Sequence, residues 1–408
     1  MLKSIILCLF TSLLVSILSS QSKTNSELII LNLYKSFSEL KEIPLSHFID
    51  EIKFVPLETN PNALISDLIV NYEITNDCII VKQYNGEKHQ ILLFDRQTGK
   101  FIREIGTQGR GPGEFAKWSI LPYNPVKHEL YALNYSLDIL VYDLSGKNID
   151  IIKTPYLPDP KMDKPNMNPE IYSKNFQQLY SILDSNIFIG YFQNFSGWEM
   201  RKIILLSKDK IIKIFPNYLS WDRNKGMGFM VPPGGFAKFY KWDNKVNFLE
   251  IFCDTLYEIT KERLIPRYYF DTGPYKAEYS KQVEVASKWY DYFLMVEIKE
   301  NSKYIFFRFS FKKQRYLGFV EKKDNTLTIC KTSPSGNSAF IDDISNMMDV
   351  VPDHFTQNNE MIYIIEPAKL MNWFKTNPEK TEQARNMYPW LKNIDEFSNP
   401  IIAIGKCK

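Results

Sequence analysis

The 408-residue sequence predicts an all-β fold, a six-bladed β-propeller built from four-stranded antiparallel blades. Aromatic side chains make up 14% of the chain, with 24 Tyr and 28 Phe, and such flat side chains pack well on pleated strands. A strand–turn–strand pattern also recurs along the chain, and strand-like runs precede its copies. The length exceeds that of one ordinary compact domain, but repeat folds are the exception to that limit.

The clearest repeat is a hairpin that occurs twice with the same turn chemistry. Residues 91–106, ILLFDRQTGKFIREIG, predict two strands around Gly99. Residues 138–152, DILVYDLSGKNIDII, repeat the pattern with Asp143 in the place of Asp95. Weaker copies follow at 202–215, 255–270 and 316–331. Two further strand-like runs before a hairpin complete a four-stranded unit, which is the blade of a propeller.

The sixth unit is incomplete and predicts how the ring closes. Strands at 361–367 (MIYIIEP) and 400–406 (PIIAIGK) flank a helix expected around Glu379–Ile394. The missing strand is assigned to KFVPLET at 53–59, because pairing both chain ends in one blade removes an exposed edge. The predicted organisation is a signal peptide at 1–20, an N-terminal lead-in at 21–50 and the propeller at 51–408.

The N-terminus has the pattern of a targeting segment. Lys3 precedes an apolar run at 4–18, and small residues stand before Gln21, a suitable cleavage point. The run is short for a membrane span, although an uncleaved anchor is the alternative. Cys8 lies inside the run and too near its start for a lipoprotein cysteine. We therefore expect an exported protein, periplasmic or extracellular, with no lipid anchor and no transmembrane span in the mature chain.

Charge and cysteine content exclude two classes of function. The net charge is +3, with 50 basic and 47 acidic residues interspersed, so no basic stripe indicates nucleic acid. Cys78, Cys253, Cys330 and Cys407 are far apart and form no C-x-x-C pair, which argues against a zinc site. We expect small buried hydrophobic side chains at these positions, with one or two disulfides as the alternative.

The glycine-rich stretch GTQGRGPGEF at 106–115 is predicted to be a corner between blades. A phosphate-binding loop would need Lys-Ser/Thr after its last glycine and a following helix, and Pro112 argues against that helix. Arg110 projects from this corner. Its guanidinium would either bind a carboxylate or phosphate of a ligand, or pair with Glu114 and pin the corner.

This stretch carries a resemblance to a known family. FDRQTGKFIREIGTQGRGPGEF, at 94–115, resembles the signature of a largely uncharacterised bacterial family of six-bladed β-propellers found in exported Gram-negative proteins. It is also similar to NHL repeats and to TolB-like propellers. VPLETNPNALIS, CDTLYEI, FIDDIS and the final NPIIAIGKCK fit as well, so the resemblance spans essentially the whole mature chain. It implies the fold and export but no reaction, and many members carry a lipoprotein cysteine that this chain lacks.

One face of the predicted propeller carries the candidate binding residues. We call it the long-loop face, because it bears the long connections between blades together with the loops between second and third strands. Its blade-to-blade loops are 106–117, 154–177, 216–236, 271–290 and 332–347. Trp221, Arg223 and Phe229, together with Trp198, offer flat apolar surface and hydrogen bonds that suit a sugar or peptide. Alternatively, these aromatic side chains cover the top edge of the core.

Asp342 and Asp343 are the candidate calcium ligands, although they lack the spacing of a calcium loop and suit turn capping as well. No other cofactor and no metal site is predicted. Catalytic motifs such as G-x-S-x-G and H-E-x-x-H are absent from the sequence.

The sequence therefore favours a non-catalytic exported propeller that binds a glycan, peptide or partner protein on the long-loop face. One alternative is a glycoside or lactone hydrolase, with carboxylates and calcium in the central funnel. The other is a structural partner in an envelope complex.

Overall fold

The computed structural model consists of six sheets arranged as blades around a central channel, so the predicted β-propeller is confirmed. The residues described are 28–66, 69–116, 122–155, 178–184, 186–194, 197, 199–208, 210–221, 235–283, 286–332, 336 and 338–408. The predicted signal peptide at 1–20 lies outside them.

Blades 1 to 3 follow one another along the chain, and each begins at its innermost strand. Blade 1 contains Ile69–Ile74, Cys78–Tyr84, His89–Asp95 and Phe101–Glu104. Blade 2 contains Glu129–Leu133, Ile139–Asp143 and Asn148–Ile152. Residues 117–121, which precede these strands, lie outside the described residues. Blade 3 contains Gln178–Asp184, Ile187–Tyr191, Arg201–Ser207 and Lys210–Pro216.

Blades 4 to 6 complete the ring. Blade 4 contains Ala237–Trp242, Lys245–Glu250, Thr255–Ile259 and Leu264–Phe270. Blade 5 contains Leu294–Glu300, Tyr304–Phe311, Gln314–Glu321 and Thr326–Cys330. Blade 6 contains His354–Phe355, Glu360–Ile365, Ile401–Lys406 and Lys53–Pro56. The innermost strands of blades 3 to 6 contact their neighbours around the channel. All five predicted hairpins are the third and fourth strands of a blade.

The ring closes as predicted, because the N-terminal strand Lys53–Pro56 is the outer strand of blade 6. It pairs antiparallel with Ile401–Lys406, and Val55 lies opposite Ile402. The adjoining blade 1 turn approaches this strand so closely that a Cβ atom at Gly99 would lie 2.0 Å from the carbonyl oxygen of Pro56. Gly99 also has φ +70°, so both space and backbone conformation require glycine there.

The lead-in differs from the prediction, because it adds a fifth strand to each of two blades. Ile29–Leu31 pairs in parallel with Leu264–Phe270 of blade 4. Leu40–Lys41 pairs in parallel with Thr326–Cys330 of blade 5. These short strands satisfy backbone groups that an outer strand would otherwise expose. Blades 4 and 5 therefore have five strands, four of them the predicted ones.

Turn chemistry explains why the first two hairpins were recognisable. The Asp95 carboxylate accepts hydrogen bonds from the backbone N–H of Gln97 and Thr98, at 3.1 and 2.8 Å. Asp143 does the same for the N–H of Ser145 and Lys147, at 2.9 and 3.1 Å. Such side-chain bonds fix a tight turn within a few residues, so this signal is local.

The helical insertion expected near the C-terminus is present and larger than predicted. Two helices and a 3-10 turn, Pro367–Thr376, Pro378–Met387 and Pro389–Asn393, join the second and third strands of blade 6. The first helix was not predicted. Leu370, Phe374, Ala384 and Leu391 face the core. Shorter helical turns are Leu33–Ser36, Leu45–His47, Gly273–Tyr275, Tyr279–Val283 and Ala286–Trp289.

Side chains packed between blades form the core. Phe293, Phe307 and Phe309 fill the space between blades 4 and 5, where Leu31 of the lead-in joins them. The four described cysteines are free, and three of them are buried, in agreement with the predicted role as small hydrophobic side chains. Burial raises the pKa of the Cys407 thiol to about 11.

Candidate functional site

Charged side chains gather in the central channel, on and beside its innermost strands. Lys238 is the second residue of Ala237–Trp242, and Asp353 stands just before His354–Phe355. Glu297 and Lys299 extend from the innermost strand of blade 5, and Arg308 lies opposite Glu297 on the next strand. We call these five residues the channel cluster: Lys238, Glu297, Lys299, Arg308 and Asp353.

Glu297 is the centre of the channel cluster. Its carboxylate binds the Lys299 ammonium, and Nη1 of Arg308 lies 3.3 Å from its Oε2. Burial would raise the pKa of Glu297, but Lys299, Arg308 and Lys238 together lower it below its ordinary value. Glu297 is therefore ionised at neutral pH.

Lys238 is the member of the channel cluster with the fewest bonding partners. Its side chain is half-buried, and in the described part of the chain no hydrogen-bond or ion-pair partner lies within bonding distance of its ammonium. Burial lowers the pKa of Lys238, the cations Lys299 and Arg308 lower it further, and Glu297 offsets only part of that effect. An enclosed ammonium without a bonded anion is unfavourable, so the site is predisposed to take one up.

Asp353 has the opposite shift to Glu297. Its side chain reaches solvent, but the blades that surround the channel desolvate it and raise its pKa above the ordinary value. The charge of Glu297 adds to this shift, and the charge of Lys299 opposes it. The backbone N–H of Ile364 donates to its Oδ2 at 2.7 Å and opposes that shift only partly. The adjacent His354 is neutral at pH 7, because burial together with the charge of Lys299 lowers its pKa to about 4.

Arg110 and Tyr135 form an exposed pair on the long-loop face. The guanidinium carbon of Arg110 lies 4.9 Å from the centre of the Tyr135 ring, and Tyr135 is 49% exposed. The expected pairing of Arg110 with Glu114 was wrong, since no ion pair joins these two described residues. The Glu114 carboxylate instead accepts the N–H of Gly111 at 2.7 Å and holds the corner without the arginine.

Trp221 lies at the edge of the core rather than on the surface. Its side chain is only 7% exposed, and it packs with the hydrophobic side chains between blades 3 and 4. Its Nε1 has no hydrogen-bond acceptor among the described residues. The other aromatic and charged candidates of this region, Trp198, Arg223 and Phe229, lie outside the described residues.

A buried polar cluster beside Trp221 was missed by sequence reasoning. Glu250 binds the ammonium of Lys202 and accepts the hydroxyl groups of Tyr191 at 2.7 Å and Tyr279 at 3.2 Å. The members come from the ends of strands in blades 3 and 4 and from the following loop. Because each charge has its partner inside the protein, this cluster serves to hold the two blades together.

Both candidate calcium ligands make hydrogen bonds within the protein. Asp342 is buried and accepts the backbone N–H of Ser345 at 2.8 Å and of Met347 at 3.1 Å, which caps a turn. Asp343 accepts the N–H of Ser46 at 2.9 Å and its hydroxyl at 2.5 Å, which ties the lead-in to blade 6. Among the described residues, no three His, Cys, Asp or Glu side chains come together as a metal site.

The fold and the channel cluster define the class of the protein as a six-bladed β-propeller with charged side chains in its channel. The profile of the family described as Domain of unknown function (DUF4934) matches residues 28–406, and the chain belongs to that family. No curated protein matches the sequence.

Two solved structures share the fold. One is a Bacteroides fragilis NCTC 9343 protein, provisionally described as exported, with a TM-score of 0.62 and 15% identity over 94% of this chain and 100% of that one. The other is a member of the DUF4221 family from Bacteroides vulgatus ATCC 8482, with a TM-score of 0.50 and 10% identity over 88% of this chain and 97% of that one. Within the described residues, no helix is long and apolar enough to cross a membrane.

Proposed function

We propose that this protein is an exported, non-catalytic β-propeller that binds a glycan, peptide or partner protein on its long-loop face, with an anionic group of the ligand in the channel cluster. The observation that carries the proposal is Lys238, a half-buried ammonium with no bonded partner among the described residues. Lys299 and Arg308 add two further cations, whereas only Glu297 and Asp353 oppose them.

The surroundings of the channel cluster support a ligand that extends across the face. Arg110 with Tyr135 presents a flat cationic surface on the connections of blades 1 and 2. Such a surface packs against a sugar ring or a peptide side chain, whereas the channel cluster provides the charge that fixes its orientation. The rigid ring of blades holds the two regions at a fixed separation, as a binding site on a scaffold requires.

The test is a melting-temperature and calorimetric screen of the purified protein. The probes are oligogalacturonate, a neutral oligosaccharide of equal length, and peptides rich in Glu or in Gln. A ligand that binds only the folded state raises the melting temperature as its concentration grows. We expect an acidic probe to bind, and Lys238→Met to weaken that binding at least about tenfold, which corresponds to about 1.4 kcal/mol.

Lys100→Met is the matched control, because Lys100 is exposed in a short turn on the opposite face of blade 1. Its affinity should equal that of the wild type. Equal losses for the two variants, or no response to any acidic probe, would overturn the proposed site. The affinity should also fall as salt is added, since the contact is between charges.

A hydrolase acting on glycosides or lactones is the second candidate, and one observation favours it. Asp353 and Glu297 both belong to the channel cluster, and their pKa values move in opposite directions. Such a split assigns a proton donor and an ionised carboxylate in many hydrolytic sites. Aryl glycosides and lactones should then turn over, and Asp353→Asn and Glu297→Gln should each reduce turnover about 100-fold or more.

Binding without turnover by the wild type would exclude this second candidate. Calcium binding is a further proposal that belongs to this hydrolase candidate. It is tested by comparing the melting temperature in the presence of calcium with that in the presence of a chelator. The structural role in an envelope complex remains the third candidate, and the outer edges of the blades bear on it.

A further inference from the structure

The outer edges of the six blades are not equally covered. The lead-in adds Ile29–Leu31 outside blade 4 and Leu40–Lys41 outside blade 5. The outer strands of blades 1, 2 and 3 have no further described strand beside them. In blade 1 the N–H of Phe101 donates to the Glu58 carboxylate at 2.8 Å. An outer strand without such a partner presents its outward N–H and C=O groups as a template for another strand. Lys210–Pro216 in blade 3 is the longest of these three open strands.

The open strand of blade 3 presents aliphatic side chains as well as backbone groups. Ile211, Ile212 and Ile214 are 38%, 41% and 36% exposed. Lys210 is exposed at its start, and no acidic residue occurs in the strand. Lys213 is half-buried, and its ammonium donates to the backbone carbonyl of Glu262 in blade 4. This is an apolar and positively charged edge.

We propose that an extended segment of a partner protein, alternating acidic and aliphatic residues, adds to Lys210–Pro216 as a fifth strand of blade 3. Main-chain hydrogen bonds would supply the pairing, the isoleucines would pack against the aliphatic residues, and the two lysines would select the acidic ones. The segment runs parallel to Lys210–Pro216. This surface is separate from the channel cluster and does not depend on the proposed function.

The direction and position follow from the way this chain covers its own blades. On blade 4, Ile29, Ile30 and Leu31 lie opposite Tyr268, Tyr269 and Phe270 in a parallel ladder. Leu40 and Lys41 lie in parallel opposite Ile329 and Cys330 on blade 5. In blades 3, 4 and 5 the fourth strand lies on the outer side of the third strand. A strand added beside Lys210–Pro216 would therefore pair with blade 3 as the lead-in strands pair with blades 4 and 5.

Charge distinguishes a partner from a second copy of this chain. Two copies joined at this edge would bring Lys210 and Lys213 near the same lysines of the other copy, and like charges at close range on paired strands are destabilising. An acidic segment meets the opposite charge. Residues 1–27 precede the lead-in strand on blade 4, and coverage of the edge by them is a distinct outcome of the test.

The experiment uses the full chain and a fluorescein-labelled heptapeptide of alternating Glu and Ile, with the Lys–Ile analogue as the comparison probe. Fluorescence anisotropy should show the acidic peptide binding at least tenfold more tightly than the basic one. Hydrogen exchange of the outward-facing amides in Lys210–Pro216, those that do not bond to Arg201–Ser207, should slow when the acidic peptide binds. The double variant Lys210→Glu, Lys213→Glu should lose at least tenfold in affinity.

The matched control is Lys375→Glu, Lys380→Glu, which removes two exposed positive charges on the helical insertion of blade 6. Its affinity should stay within twofold of the wild type, and so should that of Lys238→Met. An equal loss in the control would assign the binding to net charge and overturn the proposal. Protection, in the free protein, of the outward-facing amides of Lys210–Pro216, those that do not bond to Arg201–Ser207, would overturn it too. Sedimentation would then separate a second copy from residues 1–27.

Discussion

Blades 4 to 6 and blades 1 to 3 share one topology but differ in which part of the chain supplies their outermost strands. In blades 4 and 5 the outermost strands Ile29–Leu31 and Leu40–Lys41 come from the lead-in, and in blade 6 the outermost strand Lys53–Pro56 comes from the chain directly after it. In blades 1 to 3 the outer strands stay at the edge and expose isoleucines such as Ile102, Ile149 and Ile212. The difference teaches that a blade does not need a fifth strand to form.

The lead-in is also anchored by side chains and not only by strand pairing. Phe48 is 1% exposed, and its ring lies 4.5 Å from that of Phe340 and 5.2 Å from that of Phe306. Leu31 and Leu33 enter the core between blades 4 and 5. The lead-in is thus part of the core in one half of the ring, and we expect the two halves to respond differently to substitution.

The largest effect is expected for Phe48→Ala, which removes a ring from the interior of the covered half. The loss of stability should be about 3–5 kcal/mol, because a buried phenylalanine leaves a cavity that the structure refills only in part. Ile151→Ala, at a 38% exposed position of the open half, should change stability by less than about 0.5 kcal/mol. Urea unfolding of both variants measures this, and a similar small change in both would mean that the lead-in detaches without unfolding the ring.

An intermediate effect is expected for Asp254→Asn. Burial raises the pKa of Asp254 to about 6 from its ordinary value of 3.8. This carboxyl lies beside the loop after blade 4, where the backbone N–H of Tyr34 in the lead-in donates to the carbonyl of Asp271. Above pH 6 the folded protein holds an ionised buried carboxylate, which costs up to roughly 3 kcal/mol relative to the unfolded chain. That penalty shrinks as the pH falls from 6 and is absent below about 4.

The expected result for Asp254→Asn follows from the upward direction of this pKa shift. The variant should be more stable than the wild type at pH 7.5, and the two should converge at pH 4. Thr272, which donates to Asp254 at 3.2 Å, keeps an acceptor in the asparagine. Melting temperatures of both proteins between pH 4 and 8 test this, and parallel curves would contradict it.

The smallest effect is expected where the lead-in is held by hydrogen bonds alone. Asp343→Ala removes the two bonds to Ser46 and should cost about 1 kcal/mol. Hydrogen exchange should accelerate around residues 44–49 while blades 1 to 3 stay unchanged. Asp349→Ala, at an exposed acid on the same connection, is the control and should leave both measurements as in the wild type.

Features with a local signal were predictable, and features made by distant contacts were not. Each hairpin contains its own turn chemistry, as Asp95 and Asp143 show, so five hairpins were found. The parallel strands Ile29–Leu31 and Leu40–Lys41 are three and two residues long and pair with strands far away in the chain. Nothing in so short a run distinguishes a strand from a connection.

The candidate site follows the same division. Arg110 was found from its glycine-rich corner, but its contact with Tyr135 depends on the packing of blade 1 against blade 2. Glu297 and Lys299 are charged residues in an otherwise largely apolar strand, LMVEIKE. The sequence shows this pattern but does not show that the two side chains lie in the channel. Only the ring brings them together with Lys238 and Asp353.

The sequence by itself determined the propeller, the hairpins, the closing strand at Lys53–Pro56 and the position of the helical insertion, because alternating side chains and turn residues act over a few positions. The tertiary structure alone decided which charges meet in the channel and which outer edges the lead-in covers. The physical reason is that innermost strands of different blades become neighbours only when the ring closes, and a strand's edge is open or covered only once every other segment is in place.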